Sequence, residues 1–373
     1  MTEIEQIGPA LSEEIAACEE LRHLSPRVLE LLRKSSLRYL KYPAVLGGAE
    51  ADNALQWEVI ERLGYYNGAA SWCMFIYMDM IGMLAAHLPE EGRQKLFSED
   101  IPLACGGSAG VMGEMVPVEG GYRLSGRWIY GSGIEGCDWV ACGAIDKSNP
   151  ELPPRYLVFP ASEVKLVDNW HVLGMRGSGS CDFYVENIFV PVELTYPLDG
   201  THPRGGILYD LSLIGYIAHT VPAVAMGIAQ RAVDELAGIA KAKMRGYSKK
   251  ISLAQRGVFQ AFLAEADMKI RSGRALMLEN GLRLFEEAKR DSSKIAAVEG
   301  EARAAGAYVM RQMMEVVSDA VRHAGGDGIR QGGFLEQAVR DVHTADTHYV
   351  CGDISMEVHG QFILGLQEAD QTV

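Results

Sequence analysis

Hydrophobic positions change their spacing twice along the chain. From residue 3 to about residue 97, apolar residues recur three and four positions apart, which predicts helices. From about residue 101 to 191, short β-branched and aromatic runs are separated by Gly, Pro, Asp and Asn, which is typical of strands and turns. Beyond about residue 208 the helical spacing returns in long segments at 221–244, 254–290 and 293–324.

This order predicts an α+β fold that is mainly α. We expect an N-terminal helical domain over 1–103, a central small β-barrel domain over 104–205, and a C-terminal four-helix bundle over 206–373. A length of 373 residues fits two or three domains, because single hydrophobic cores rarely grow so large.

Composition and charge narrow the class of protein. Apolar residues make up 48% and charged residues 23% of the chain, as in ordinary globular proteins. A net charge of -14 argues against binding to nucleic acid or to an anionic membrane, since both need clustered Lys and Arg. The longest apolar stretch, 72–86, is shorter than the roughly 20 residues that span a bilayer. Seven cysteines without a CxxC pair indicate reduced thiols, so we expect a soluble, cytoplasmic protein without a metal site.

Gly131, Gly133 and Gly136 form the GxGxxG pattern of dinucleotide-binding proteins. That pattern binds pyrophosphate only where a strand ends and a helix begins. Here the residues that follow, CDWVACGAI at 137–145, predict another strand. We therefore do not expect this motif to bind a dinucleotide.

Several phrases of the sequence resemble the acyl-CoA dehydrogenase superfamily over nearly the whole chain. They are LKYPAVLGG at 40–48, VEGGYRLSGRWIYGSG at 118–133, WHVLGMRGSGSCDFYVENIFVP at 170–191, and AGGDGI with AVRD within 324–341. The third is the most specific, because its glycine- and serine-rich run is followed by alternating apolar residues and a Val-Pro stop. Within the superfamily, the chain resembles the flavin-dependent monooxygenase branch, the oxygenase components of two-component aromatic hydroxylases.

Departures from the dehydrogenase pattern favour that branch. Dehydrogenases carry T-E-P-x-A-G-S-D and W-I-T-N-G where this chain has ACGGSAG at 104–110 and IYGSG at 129–133. Most of them also place a glutamate base shortly after the final Arg-Asp, whereas His348 stands in this stretch here. Asp346 and Asp353 are the nearest carboxylates, and neither matches the expected position. Dehydrogenation of an acyl thioester is disfavoured, because abstracting its proton needs a positioned base.

Two residues are candidates for catalysis. The resemblance places His348 at the reactive edge of the flavin, where an imidazole could accept a phenol proton or donate to a peroxide. If this segment is helical, Arg340, Thr344 and Thr347 share a face with it. The resemblance also places Ser132 beside the reactive flavin nitrogen or the substrate hydroxyl. From the residues alone, a core histidine and a tight Gly-Ser-Gly turn remain alternatives.

A larger set of residues is predicted to hold the cofactor, because glycine-rich turns and hydroxyls suit a flavin ring or phosphate. The set comprises Tyr130, Gly131, Gly133, Trp170, Met175, Arg176, Ser178, Ser180, Arg245, Gly325 and Gly326. Arg176 could instead pair with Asp182. Arg245 lies in a basic cluster and resembles an arginine that reaches flavin phosphate, often across a subunit boundary. Gly325 and Gly326 could approach a neighbour's cofactor or simply cap a helix.

Soft and aromatic residues are predicted to form the substrate pocket. They are Trp72, Phe75, Met78 and Thr344, of which the first three lie in a methionine-rich stretch. Methionine suits a dry and adaptable pocket, although the core of a helix is the simpler explanation for most of that stretch.

The resemblance implies a two-component flavin monooxygenase. Reduced FMN or FAD, made by a separate NAD(P)H:flavin reductase, would bind between the β-domain and the bundle. With O2 as co-substrate, a flavin hydroperoxide would hydroxylate a small aromatic substrate, phenolic or indole-like. A homotetramer is expected in this family. The alternatives are an acyl-CoA dehydrogenase or nitroalkane-type flavin oxidase, and a non-catalytic, flavin-free binding protein on the same fold.

Overall fold

A computed structural model describes residues 1–97, 104–201, 203–244, 251–290 and 294–366. The helices are α1 Thr2–Glu13, α2 Ile15–Leu21, α3 Pro26–Lys34, α4 Asn53–Tyr66, α5 Gly68–His87, α6 Glu90–Leu96, α7 Ile207–Asp210, α8 Leu213–Ile217, α9 Thr220–Ala242, α10 Gly257–Arg290, α11 Ile295–Ala324, α12 Phe334–Asp346 and α13 Ile354–Ile363. The strands are β1 Cys105–Val118, β2 Gly121–Trp128, β3 Trp139–Asp146, β4 Arg155–Pro160, β5 Lys165–Val167, β6 Asp182–Pro191 and β7 Thr195–Pro197. The mainly α fold with a central β-region is confirmed.

Helix α5 runs through the centre of the molecule and joins its two main hydrophobic cores. Asn67 caps the helix by accepting a hydrogen bond from Ala70 N at 3.0 Å. The first half of α5 packs into the core shared with α4 and α9, and the second half packs beneath the sheet. This position places one face of α5 at the junction of all three regions.

Two segments, α5 and Leu213–Ala242, are long and apolar enough to cross a membrane. In their most apolar stretches, however, 83% and 78% of the residues are buried inside the protein. Such all-round burial is also typical of the core helices of large proteins.

The seven strands form one mixed sheet in the order β5-β6-β2-β1-β3-β4-β7. Strands β1 and β3 are parallel, and the other neighbours are antiparallel. Within the described residues the two edges do not pair, so the sheet is not closed into the predicted small β-barrel, although the overall fold class is as expected. Each edge strand is only three residues long, and β7 ends at Pro197, which has no N–H with which to extend a ladder.

Strand β1 is irregular where it passes the middle of the molecule. Its register against β3 shifts between Ser108 and Val111 and again between Val111 and Gly113. A Cβ on Gly107 would lie 1.9 Å from Ala141 O, so only glycine permits this pairing. Because bulges bend a strand and re-aim its residues, they turn the 107–110 segment toward the cavity described below.

Helices α9 to α12 pack into the C-terminal four-helix bundle, and α4 lies against α9. The α4 and α9 backbones approach closely through two glycines. A Cβ on Gly64 would lie 2.8 Å from Val224 O, and a Cβ on Gly227 would lie 2.1 Å from Glu61 O. Both contacts are to backbone atoms, which cannot rotate away.

The Gly227→Ala variant is expected to lose about 1–3 kcal/mol of unfolding free energy, because the added methyl overlaps the α4 backbone. The control is Gly238→Ala on the same helix, where an added Cβ meets nothing within 4 Å. That change should instead stabilise by about 0.5–1 kcal/mol, since alanine favours a helix over glycine. Urea unfolding of both variants measures the difference, and equal midpoints would contradict the close helix crossing.

Candidate active site

A cavity of about 640 Å³ lies where α5, the sheet and the C-terminal helices meet. Its volume falls within the roughly 300–1,000 Å³ that is typical of small-molecule sites. Much of the wall is apolar, and a few polar side chains converge on it. They include Asp79, Ser108, Ser132, Ser178, Ser180, Thr220, Thr344, Thr347 and His348.

Three serine hydroxyls and one indole N–H form a hydrogen-bonded chain on this wall. Trp72 Nε1 donates to Ser132 Oγ at 3.0 Å. Ser180 Oγ lies 2.6 Å from Ser132 Oγ and 2.8 Å from Ser178 Oγ. The three hydroxyl hydrogens serve two contacts within the chain, so one O–H remains to donate to a bound molecule.

Backbone hydrogen bonds fix the turn that presents Ser132. Gly131 N donates to Cys181 O at 2.9 Å, and Gly133 N donates to Ser178 O at 2.8 Å. Gly133 has φ +68°, a left-handed conformation that glycine adopts without strain. Gly131 and Gly133 therefore shape the turn, whereas Ser132 itself lines the cavity. The GxGxxG motif leads into a short 3₁₀ turn and then β3, so the expectation of no strand-to-helix junction is confirmed.

His348 reaches the cavity from a turn and not from a helix. Helix α12 ends at Asp346, so the condition for one helical face that includes Thr347 and His348 is not met. The helix stops where Thr347 Oγ1 donates to Thr344 O at 2.7 Å and satisfies one of the last carbonyls. Thr344, Thr347 and His348 nevertheless all line the cavity, whereas Arg340 does not.

The His348 ring is half-buried, and its pKa is low. It meets Trp72 edge-on, with 5.8 Å between the ring centroids. Burial lowers the pKa of His348 to about 4, because the charged form loses its hydration. Val350 N donates to Nδ1 at 3.4 Å, which favours the tautomer with the proton on Nε2. Nε2–H is then the donor left for a bound molecule.

The glycine-rich loop at 170–180 is anchored on α12 by an arginine and an aspartate. Asp341 Oδ1 accepts from Met175 N at 2.5 Å, and Arg340 Nη1 donates to a loop carbonyl at 2.9 Å. A Cβ on Gly174 would lie 2.1 Å from Arg340 O, so this approach requires glycine. The Arg-Asp pair thus holds the loop that carries two of the three serines.

Tyr130, Trp170 and Met175 line the cavity with the serines. The rings of Tyr130 and Trp170 meet edge-on with centroids 6.4 Å apart, and Tyr130 is 64% exposed. Trp170 Nε1 donates to Met175 O at 3.3 Å, which fixes the indole against the loop. The two aromatic rings therefore form the rim of the cavity, and Met175 forms part of its interior.

Arg176 belongs to the same loop but does not line the cavity. Its Nε donates to Val172 O at 3.0 Å and so orders the loop from within. The alternative pairing of Arg176 with Asp182 is wrong. Asp182 accepts from Arg127 Nη2 at 2.7 Å, because these residues lie on the neighbouring strands β6 and β2.

Three of the four residues predicted for the substrate pocket line the cavity, and the fourth lies on another face of α5. Trp72, Phe75 and Thr344 line the cavity, whereas Met78 is fully buried on another side of α5. The cavity-facing residues of α5 are spaced by three and four positions: Trp72, Phe75, Ile76, Asp79, Met80 and Met83. Asp79 was not predicted. The sequence feature that could have identified it is a single charged residue within an otherwise apolar helix.

The remaining predicted contacts lie away from this cavity. Arg245 falls outside the described residues. Gly325 ends α11 with φ +65°, and neither it nor Gly326 lines the cavity of its own protomer. Lys243 Nζ donates to Ala324 O at 2.7 Å and ties the end of α9 to that turn. A cofactor contact from this turn would have to reach the cavity of another subunit.

The residues around the cavity fit a flavin. Thr344 Oγ1 is buried and has no hydrogen-bond partner in the described part of the chain, and the serine chain has one O–H to spare. A planar ring with several acceptors would satisfy both, and Trp72 offers it an aromatic wall. No cluster of three or more metal-ligating side chains occurs in the described ranges.

Known proteins resemble this chain in sequence and fold. Residues 219–352 match the family described as acyl-CoA dehydrogenase, C-terminal domain. The indole-3-acetate monooxygenase of Pseudomonas putida is 27% identical over 93% of this chain and 88% of its own length. The oxygenase component of the FADH(2)-dependent resorcinol hydroxylase of a Rhizobium species is 26% identical over 95% and 91%. The structure of XiaF from a Streptomyces species, in complex with FADH2 and glycerol, has a TM-score of 0.89, 21% identity, and coverage of 100% and 96%.

These similarities span all three regions of the chain. The family match covers most of the C-terminal bundle, and the relatives extend it across the N-terminal helices and the sheet. His348, which stands in the sequence stretch where a dehydrogenase glutamate was expected, lines the cavity. Residues 219–352 belong to the acyl-CoA dehydrogenase C-terminal-domain family, and over most of its length the chain is similar to oxygenase components of flavin-dependent monooxygenases.

Proposed function

We propose that this protein is the oxygenase component of a two-component flavin-dependent monooxygenase that hydroxylates a small aromatic molecule. The observation that carries the proposal is the meeting of a neutral imidazole and a three-serine chain at Trp72 in one cavity. A reduced flavin held by the serine chain and Trp72 would supply the oxygen-transfer chemistry with O2, and the protein would supply orientation and a dry site. By their names, two relatives act on indole-3-acetate and on resorcinol.

The serine chain is suited to positioning the cofactor. Its spare O–H can donate to an acceptor on the flavin ring, and Trp72 holds Ser132 in place from the other side. The serine chain is held in place at two points. Asp341 anchors the loop at 170–180, and backbone hydrogen bonds fix the turn that presents Ser132. Such preorganised donors are effective because they need no reorganisation during the reaction.

His348 is suited to donate a hydrogen bond to the transferred oxygen atom or to the hydroxyl group of the substrate. Its Nε2–H can donate to either oxygen, and the low pKa keeps the ring neutral throughout the physiological range. Met80, Met83 and Met112 line the same cavity and help to exclude water, since methionine adapts its shape to a bound ring.

The cofactor would be reduced FMN or FAD, delivered by a separate NAD(P)H:flavin reductase. FADH2 is the form bound to XiaF, which shares the fold. All seven cysteines are free thiols, which would be unusual in a secreted protein and supports a cytoplasmic location.

Assembly into a homotetramer is part of the proposal. Large apolar side chains are exposed on the C-terminal helices, among them Val258, Met268, Leu282 and Ile363. Such surface favours contact with other subunits. An assembled state would also give Gly325 and Gly326 a neighbouring cavity to approach. Light scattering of the purified protein measures the subunit number directly.

The test is to mix the protein anaerobically with photoreduced FMN or FAD, and then with ¹⁸O-labelled O2 and a phenol or indole. We expect the protein to bind the reduced flavin and to form a hydroxylated ring that contains one ¹⁸O atom. Flavin binding without any ring hydroxylation across a broad aromatic panel would reject the monooxygenase. Failure to bind flavin in either redox state would instead favour a flavin-free binding protein.

The dehydrogenase alternative is tested separately. Asp79 is the one carboxylate among the described residues on the cavity wall, and its Oδ1 lies 2.5 Å from Lys41 Nζ. Burial raises the pKa of Asp79 to about 6, but this carboxylate lies on α5 and not in the stretch after Arg340 and Asp341 where the glutamate was expected. Rapid anaerobic bleaching of protein-bound oxidised flavin by an acyl-CoA or a nitroalkane would nevertheless establish that alternative.

The Ser132→Ala variant is expected to bind reduced flavin about 3–10-fold more weakly, since it breaks the hydroxyl chain and leaves Trp72 Nε1 without its acceptor. The control is Ser71→Ala on the same helix as Trp72. Ser71 Oγ is also buried and donates to Ile60 O at 2.7 Å, but it does not line the cavity. Anaerobic fluorescence titration measures both affinities, and equal losses in the two variants would contradict a specific role for Ser132.

A further inference from the structure

A buried carboxylate faces the cavity two helical turns away from Trp72. Asp79 and Trp72 lie on the same face of α5, about 10 Å apart along the helix axis. Leu213, Ile217 and Met83 line the cavity as well and give it further apolar wall. The polar group at 79 is therefore set apart from the serines and the histidine.

Lys41 holds the Asp79 carboxylate from behind. Its Nζ lies 2.5 Å from Asp79 Oδ1, donates to Tyr216 O at 2.7 Å, and lies 3.9 Å from the centre of the Tyr216 ring. Lys41 is completely buried and does not line the cavity, whereas Asp79 does. A molecule in the cavity thus meets the carboxylate and not the ammonium group.

The second oxygen of Asp79 has capacity to accept. In the described ranges no protein donor makes a hydrogen bond to Oδ2, although a carboxylate oxygen accepts up to two. The side chain is only 7% exposed, so water cannot solvate it as freely as at the surface. A ligand O–H or N–H would satisfy this oxygen, and hydrogen bonds to a charged acceptor are stronger than neutral ones.

The charge of the cavity wall selects among aromatic ligands. No Lys or Arg occurs among the described residues that line it. A ligand carboxylate would lose its hydration and find no cation on the wall to pair with, because the ammonium group of Lys41 is already paired with Asp79, and this is costly. A neutral ring with a hydrogen-bond donor avoids this cost.

We propose that Asp79 is a substrate-binding residue that selects neutral phenols or N–H aromatic rings and rejects aromatic carboxylic acids. The inference rests on the proposed function, since it places the substrate between Asp79 and the site at His348 and Ser132. It separates this chain from a relative named for indole-3-acetate and groups it with one named for resorcinol. The hydrogen bond to Asp79 orients the ring so that its far side faces the serine chain.

The test uses matched ligands and equilibrium binding, both with and without reduced flavin under anaerobic conditions. Calorimetric titration compares indole with indole-3-acetate, and resorcinol with 3,5-dihydroxybenzoate. We expect each neutral ligand to bind the wild-type protein at least about tenfold more tightly than its acid, given the cost of a buried unpaired charge. We also expect 1-methylindole, which lacks the donor, to bind about tenfold more weakly than indole.

Variants at Asp79 identify the residue responsible. Asp79→Asn removes the charge of the carboxylate. The dissociation constant of the aromatic acid divided by that of its neutral counterpart should then fall by about tenfold. Asp79→Leu removes the acceptor and should abolish the preference for indole over 1-methylindole. The control is Glu61→Gln, which alters another buried, paired carboxylate that does not line the cavity, and it should leave both ratios unchanged.

Two results would overturn the proposal. One is a wild-type protein that binds the acids as tightly as the neutral ligands, and this result is decisive even if no Asp79 variant folds. The other is an Asp79→Asn variant with unchanged ratios. Loss of flavin binding or of ring hydroxylation would reject the proposed function instead, because the ligand preference is also measured without flavin.

Discussion

The His348→Ala variant is expected to hydroxylate the aromatic substrate about 10²–10³-fold more slowly than the wild-type protein, which is the range that the loss of one positioned hydrogen-bond donor costs. The reason is that His348 offers an Nε2–H from a half-buried ring, next to Trp72 and close to the serine chain. Removing the imidazole leaves no other described histidine on the cavity wall. Hydroxylated product is measured in single turnovers with photoreduced flavin, and the dissociation constant of the flavin is measured separately.

Flavin affinity separates a catalytic role from a structural one. We expect His348→Ala to retain reduced-flavin binding within about threefold, since among the described residues the ring makes only one weak hydrogen bond. The control is His343→Ala on α12, where Nε2 lies 3.2 Å from Ser318 Oγ on the exposed side of the helix. Full hydroxylation by His348→Ala with flavin bound would remove the catalytic assignment.

The long helices could be predicted because their packing repeats along the sequence. The segments expected at 221–244, 254–290 and 293–324 correspond to α9, α10 and α11. Each carries an apolar stripe with helical spacing, and such a stripe must face a neighbouring element. Closure of the sheet could not be predicted in this way. It depends on how far the edge strands β5 and β7 extend, which is a matter of tertiary contacts.

The site was predictable where the resemblance supplied positions, and not where distant contacts decide the geometry. His348 and Ser132 were expected in one site, and both line the cavity. The contact between Asp341 and Met175 N joins residues that are 166 positions apart, so neither periodicity nor a local motif indicates it. Asp79 was overlooked for a similar reason, because its partner Lys41 lies on a separate segment.

Asp341 anchors the serine-bearing loop, and replacing it tests that anchor. The carboxyl is buried on α12 and accepts from Met175 N at 2.5 Å, while Gln337 Nε2 donates to its other oxygen at 3.2 Å. Asp341→Ala would leave Met175 N–H buried without an acceptor, which costs about 1–3 kcal/mol. We expect a loss of reduced-flavin affinity of about 10–100-fold, measured by anaerobic titration.

Asp341→Asn is the matched control, because its amide oxygen can still accept from Met175 N, and its flavin affinity should stay within about threefold of the wild-type value.

The pH dependence of unfolding provides an independent measure of the buried carboxyl of Asp341. Burial, with the charge of Glu19, raises the pKa of Asp341 from 3.8 to about 7, so the folded protein binds a proton that the unfolded chain releases. The stability contributed by this group is therefore complete below pH 3.8 and is lost as the pH rises through 7. Urea unfolding should show Asp341→Asn gaining stability relative to the wild-type protein between pH 5 and 8, since the amide cannot ionise. If Asp341→Asn lost flavin affinity as severely as Asp341→Ala, the charge of Asp341 would be the cause, and its role as an acceptor for the loop would be disproved.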